Sequence, residues 1–217
     1  LKYLMAILRN IQIYQEIFVL LFTTSFFLFA ILRSQYYKYA KLLVLGAVSQ
    51  RYANQYLRED NFFTERVNLI TFLLIILNLT LFISKILEYF TLSKIFIILL
   101  YILTYYAVKF VLIKFLSFSF KLKEISKLIL FFTLMFDRVF AIVMFPLLIC
   151  MYFFSIDAYD FLIWTTYTLM LILVFLKSIC FVNLGYNSFG ISKFYIFLYL
   201  CVLEFFPIMI LVKTILF

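Results

Sequence analysis

The chain has 217 residues, is 68% hydrophobic and 23% aromatic, and combines a mean hydropathy of +1.16 with a net charge of +9. A soluble domain is roughly half apolar, so this composition excludes an ordinary water-soluble fold. The absence of histidine excludes mechanisms built on a His base or ligand, among them Ser–His dyads, HExxH zinc sites, His-rich di-iron centres and His-ligated haem.

The positive charge fits cytoplasmic loops lying against anionic headgroups, not nucleic acid. The 31 Phe and 17 Tyr beside 3 Gly and 2 Pro read as codon bias in an AT-rich genome, which lowers the weight of any single Phe, Tyr or Lys. Cys150, Cys180 and Cys201 are far apart and lack CxxC spacing, so no disulfide framework, metal site or cofactor is predicted.

Lys2 and Arg9 precede an apolar run from Ile17 to Leu32. No small-residue cleavage site follows it, and the run is long enough to span, so a first transmembrane helix is predicted over about 15–33. Residues 33–66 form the longest polar segment. An amphipathic helix over about 36–57 is predicted there, lying in the interface. Its tail places Arg51, Asn54, Gln55 and Arg58 three or four positions apart. That face suits a headgroup or a partner protein, and equally a solvated surface. Thr64 before Glu65 suits a hydroxyl N-cap followed by an acid at the positive end of the helix dipole.

The second span is predicted over about 66–84. Asn68, Thr71 and Asn78 fall along one stripe of it, which should face other helices because buried amides need partners. The third span is predicted over about 94–116, with Lys109 deep, Lys114 snorkelling outward, and Tyr105 on the same face as Lys109. The next apolar region, Leu128–Phe154, is interrupted by Asp137-Arg138. Two arrangements are open: one tilted helix with that pair well inside, or an interfacial helix leading into a span over about 137–156. The second is preferred. Pro146 should kink this span. A fifth span is predicted over about 160–177, followed by a loop carrying Asn183, Gly185, Asn187 and Gly190.

The sixth span, about 193–213, carries Glu204 near its middle and the helix breaker Pro207 three residues later. A carboxylate near the midplane is costly, and Pro207 withholds a donor from the carbonyl of Leu203. The base predicted to satisfy Glu204 is Lys109, or Arg138 if the fourth span begins near Leu128. Such a pair either fastens the last helix to its neighbour or forms a proton, ion or ligand site.

Together these elements predict an all-α, polytopic transmembrane bundle of about six spans, forming a single integral membrane domain over residues 1–217. The loops after spans one, three and five hold thirteen Lys and Arg against five on the opposite side. The bias predicts three basic cytoplasmic loops and both termini in the periplasm.

Three pieces carry a resemblance: Arg51-x-x-Asn54-Gln55-x-x-Arg58-Glu59, the lysine-bearing third span, and the ending Tyr199-Leu-Cys-Val-Leu-Glu204-Phe-Phe-Pro207. The set resembles an uncharacterised family of integral membrane proteins of the Bacteroidetes bacteria, a domain of unknown function. The likeness covers nearly the whole chain and is most specific in the Tyr-Leu-Cys-x-Leu-Glu-x-x-Pro ending. It implies a bacterial inner-membrane location and no particular activity.

No Walker sequence or Gly-rich phosphate loop is present, and enzymatic activity is not expected. The partners expected are the lipid bilayer and other envelope membrane proteins, without nucleic acid. The preferred function is a non-catalytic component of a cell-envelope assembly. The alternative is a small ion-coupled permease or carrier using Glu204 and Lys109 at mid-membrane.

Overall fold

A computed structural model describes residues 2–59, 61–87, 91–119, 123–153 and 159–188. The regular structure of the described residues is entirely helical: α1 (Lys2–Ser34), α2 (Tyr37–Val48), α3 (Gln50–Arg58), α4 (Phe62–Ile86), α5 (Leu92–Ser119), α6 (Lys123–Phe153) and α7 (Tyr159–Ser188). Among the described residues, five helices are long and apolar enough to cross a membrane, through Ile17–Ser34, Phe62–Ile86, Leu92–Phe115, Leu130–Phe153 and Phe161–Ile179. The chain is a multi-pass helical membrane bundle. The sixth span predicted over about 193–213, with Glu204 and Pro207, lies outside the described residues.

Helices α4 and α6 form the centre. Of their apolar stretches, 61% and 56% of the residues are buried, against 17% in α1, 28% in α5 and 11% in α7. The outer faces of α5 and α7 carry large exposed apolar side chains such as Phe96, Ile97, Trp164 and Leu171, as lipid-facing helices should. Leu74, Ile75 and Leu81 of α4 and Met135, Met144 and Leu148 of α6 are almost fully enclosed. Phe145 of α6 stacks on Phe29 of α1 with ring centroids 4.8 Å apart.

The helix starts and stops depart from the sequence reading in four places. The N-cap of α4 is Asn61, whose side chain accepts from the Thr64 backbone N–H while the Thr64 hydroxyl accepts from the Asn61 N–H. Thr64 is thus the third residue of a capping box, not the cap, and the helix begins at Phe62. The predicted amphipathic helix over 36–57 is two helices, broken at Ser49, whose φ of −135° and ψ of 123° are extended. Gly46 lies where the two helices approach closely. A Cβ on it would lie 3.2 Å from the Cα of Ala53 and 3.2 Å from the Sδ of Met135. The pair packs onto α6 through buried Leu43 and Ala53.

The preferred arrangement of the fourth span, 137–156 behind an interfacial helix, is also corrected. One helix runs continuously from Lys123 to Phe153, and its apolar stretch starts at Leu130, well before Asp137-Arg138. It passes through Pro146, which is exposed on the outer face. The fifth span, expected over about 160–177, runs through Phe161–Ile179 as expected, but its helix does not stop there. Helix α7 continues to Ser188 and takes in Asn183, Gly185 and Asn187, which were expected in a loop. The charges that seemed to mark the ends of these apolar stretches, Asp137-Arg138 and Lys177, find partners inside the bundle.

Candidate functional site

Those partners form a polar layer at one level of the membrane. Lys109 lies six residues before the end of its apolar stretch, Asp137 seven after the start of its own, and Asn68 six after the start of α4. At 1.5 Å per residue each sits about 9–10 Å inside the same edge of the bundle.

Asp137 is the hub. Its Oδ2 accepts from the Lys109 ammonium of α5 at 2.8 Å, and its Oδ1 accepts from the Lys177 ammonium of α7 at 3.2 Å. The lysines are 3% and 2% exposed, and Asp137 is 19% exposed. One carboxylate on α6 therefore ties both flanking helices, each oxygen serving a different one. The Lys109 ammonium also lies 5.6 Å from the Tyr105 ring and 5.8 Å from the Tyr106 ring, where the ring faces add cation–π attraction.

Arg138, the next residue, points to other helices. Its Nη1 donates to the Asn68 side-chain oxygen of α4 at 2.6 Å, and the Tyr56 hydroxyl of α3 donates to the same oxygen at 2.9 Å. Arg138 is 8% exposed and its Nε has no hydrogen-bond partner. Tyr56 is itself held by stacking on Phe131 of α6. Consecutive residues of α6 thus split their work. Asp137 holds α5 and α7, and Arg138 holds α4 through Asn68, whose oxygen also takes the Tyr56 hydroxyl of α3.

Asn78 makes a second polar junction. Its side-chain oxygen accepts from the Ser25 hydroxyl of α1 at 2.6 Å, and its amide donates to the Ala141 carbonyl of α6 at 2.9 Å. Thr71, between the two asparagines, bonds its own helix through the Val67 carbonyl. Of the residues singled out from the sequence, Lys109, Asp137, Arg138 and Asn68 come together in one layer and Asn78 stands apart from them. Glu204, proposed as partner of Lys109, lies outside the described residues. Lys177, Tyr56 and Ser25 were missed. Lys177 had been assigned to a loop, and a Tyr or a Ser carries no distinguishing signal in so aromatic a sequence.

A cavity of about 120 Å³ abuts the hub. Asp137, Lys177, Tyr105, Tyr106, Phe136 and Phe140 are among the residues that line it. Among the described residues, no three His, Cys, Asp or Glu side chains are grouped to hold a metal ion.

Outside the spans, Arg51, Asn54, Gln55 and Arg58 of α3 are all exposed, while Ala53 and Tyr56 on the opposite side are buried. Glu59 closes this face against α2. It accepts from the Gln55 amide at 3.2 Å and pairs with the Lys38 ammonium at 3.2 Å. The Gln55 bond, and after it the Lys38 bond and charge, hold the Glu59 carboxyl below the ordinary glutamate range.

A domain of unknown function (DUF4271) matches residues 17–215. The chain belongs to the DUF4271 family. No curated protein and no solved structure matches it. The DUF4271 assignment takes in every helix of the polar layer and attaches no chemistry to it.

Proposed function

We propose that this DUF4271 protein is a non-catalytic component of a cell-envelope assembly, multi-pass in a bacterial inner membrane. The observation that carries this reading is the use made of Asp137. Both of its oxygens are engaged by lysines from two other helices, which is the arrangement of a clamp that fixes helix order. The surface offered to a partner is the exposed α3 face of Arg51, Asn54, Gln55 and Arg58. With Lys109 and Lys177 drawn into the bundle, eleven Lys and Arg still stand on the side of that face against five opposite. This bias supports a cytoplasmic α3 and periplasmic termini. The resemblance to Bacteroidetes proteins supports the inner membrane as its place.

The test is purification from native membranes in mild detergent, with the stoichiometry of any companion measured for wild type and for the double variant Arg51→Glu, Arg58→Glu. A companion at a fixed ratio that the double variant loses, with the helical content of the chain unchanged, supports the reading. A wild-type chain that purifies alone and monodisperse overturns it.

The second reading, a small ion-coupled carrier using Lys109 with Glu204, is favoured by the cavity beside Asp137 and Lys177. In proteoliposomes it requires ion or proton flux that Lys109→Gln abolishes. A protein that folds in liposomes without such flux argues against it.

A further inference from the structure

We propose that the edge of the bundle where α1, α2 and α4 meet is a binding site for one anionic phospholipid, its phosphate held by Arg33 and Arg66. The site lies apart from the α3 face of Arg51 and Arg58, so it stands or falls separately from the partner reading.

The position of Arg66 comes first. Phe62, Arg66, Leu69 and Leu73 follow one another at helical spacing along one stripe of α4, and all four are exposed. The stripe looks out of the bundle, where lipid covers it. Arg66 stands on it four residues after the apolar stretch begins at Phe62, or about 6 Å inside the edge. An arginine at that depth reaches the headgroups by extending along the stripe. Arg33 holds the matching place on α1. It is the last residue but one of the stretch ending at Ser34, and it continues an outward stripe through Val19 and Phe26.

Aromatic rings bring the two arginines to one seam. Arg66 donates from Nη1 to the Tyr36 hydroxyl at 3.2 Å, and its guanidinium lies 4.0 Å from the Phe62 ring centroid. The Arg33 guanidinium lies 4.5 Å from the ring centroid of Tyr37. Consecutive tyrosines at the start of α2 thus carry one arginine each, one from α1 and one from α4, with cation–π attraction steadying both. Among the described residues, neither arginine is paired with a carboxylate. Glu59 is taken up by Lys38 at 3.2 Å. Glu65 is exposed beside Arg66, but Arg33, Arg66 and Lys41, one turn after Tyr37, are exposed against it. This edge therefore keeps an excess of positive charge.

Three requirements select the occupant. It must carry negative charge, offer paired oxygens to a guanidinium, and bring an apolar tail to lie along the Phe62–Leu73 stripe. A phosphodiester on acyl chains meets all three, since guanidinium and phosphate match as planar donor fork and paired acceptors. A zwitterionic lipid brings the same phosphate with an ammonium of its own, which the excess charge disfavours. An anionic headgroup is drawn in by it.

The experiment is native mass spectrometry of the full chain in mild detergent, titrated with dioleoyl phosphatidylglycerol or dioleoyl phosphatidylcholine, which share their acyl chains. The first phosphatidylglycerol should bind about tenfold tighter than the first phosphatidylcholine. The double variant Arg33→Gln, Arg66→Gln should lose that preference, and Arg51→Gln, Arg58→Gln should keep it. Arginine labelling with phenylglyoxal needs no variant and decides the matter if the first double variant fails to fold. In nanodiscs containing phosphatidylglycerol, Arg33 and Arg66 should react about threefold more slowly than in phosphatidylcholine alone, with Arg51 and Arg58 less affected. Inorganic phosphate added to the phosphatidylcholine nanodiscs should give no such protection, and equal protection would assign the site to a free anion and overturn the lipid. Equal affinity for the two lipids, a preference that survives loss of Arg33 and Arg66, a preference lost equally with Arg51 and Arg58, or unchanged labelling also overturns the proposal.

Discussion

Replacing Asp137 is the sharpest test of the clamp. In Asp137→Asn one side-chain oxygen remains to accept from one lysine, but the other position becomes an NH₂ group facing an ammonium. One charge-assisted bond is lost, and such bonds contribute about 1.5–3 kcal/mol. In Asp137→Ala both bonds at 2.8 and 3.2 Å disappear, and breaking a buried ion pair costs about 3–5 kcal/mol. The two lysine bonds share one carboxylate, so the larger figure is not a simple doubling. The measurement is unfolding of the purified chain by SDS titration from mild detergent, followed by circular dichroism. Stability should fall in the order wild type, Asn, Ala. Because the lysines are only 2–3% exposed, added salt should alter the differences little. A cycle with Lys177→Met adds a second reading, in which the double variant with Asp137→Ala should lose less than the sum of the singles. An Asp137→Ala protein within about 0.5 kcal/mol of wild type, or an additive cycle, would refute the clamp.

Two further outcomes are open to the same assay. Asn78→Leu removes the bonds to Ser25 and Ala141 and should cost about 1–2 kcal/mol, the upper range for interhelical hydrogen bonds in membranes, with Ser25→Ala costing less. Glu59 governs an acid response. Its folded-state carboxyl is depressed by Gln55 and then Lys38, so its stabilising contribution is whole above the ordinary glutamate range and is lost as pH falls through the depressed value. Wild type should exceed Glu59→Gln in thermal midpoint at neutral pH and converge with it in acid. A gap that persists or widens in acid would contradict the assignment.

Much of the architecture was readable from hydropathy, because the runs within Phe62–Ile86 and, counted past Lys109, within Leu92–Phe115 are long and apolar enough to span. The errors cluster on charges. Asp137-Arg138 and Lys177 were read as boundary markers, since an isolated charge in lipid is expelled toward water. They are instead partners across three helices, and separations of 28 and 40 residues leave no local pattern to detect. Lys109 was recognisable because apolar sequence continued past it, whereas Lys177 had Asn and Gly soon after and looked like a loop. The break at Ser49 escaped for another reason. A small residue such as Gly46 signals close approach only when the opposing surface, here Ala53 and Met135, is known.

During synthesis Lys109 emerges from the ribosome 28 residues ahead of Asp137, and Lys177 follows 40 residues after it. Helix α5 thus reaches the bilayer carrying a cation whose acidic hub has not yet been made. Its position about 9 Å from the edge allows the long side chain to reach the headgroups and wait there. Asp137 becomes available to that ammonium only with α6, and Lys177 reaches the other oxygen only with α7. The three-helix clamp can therefore be complete only once α7 has left the insertion machinery.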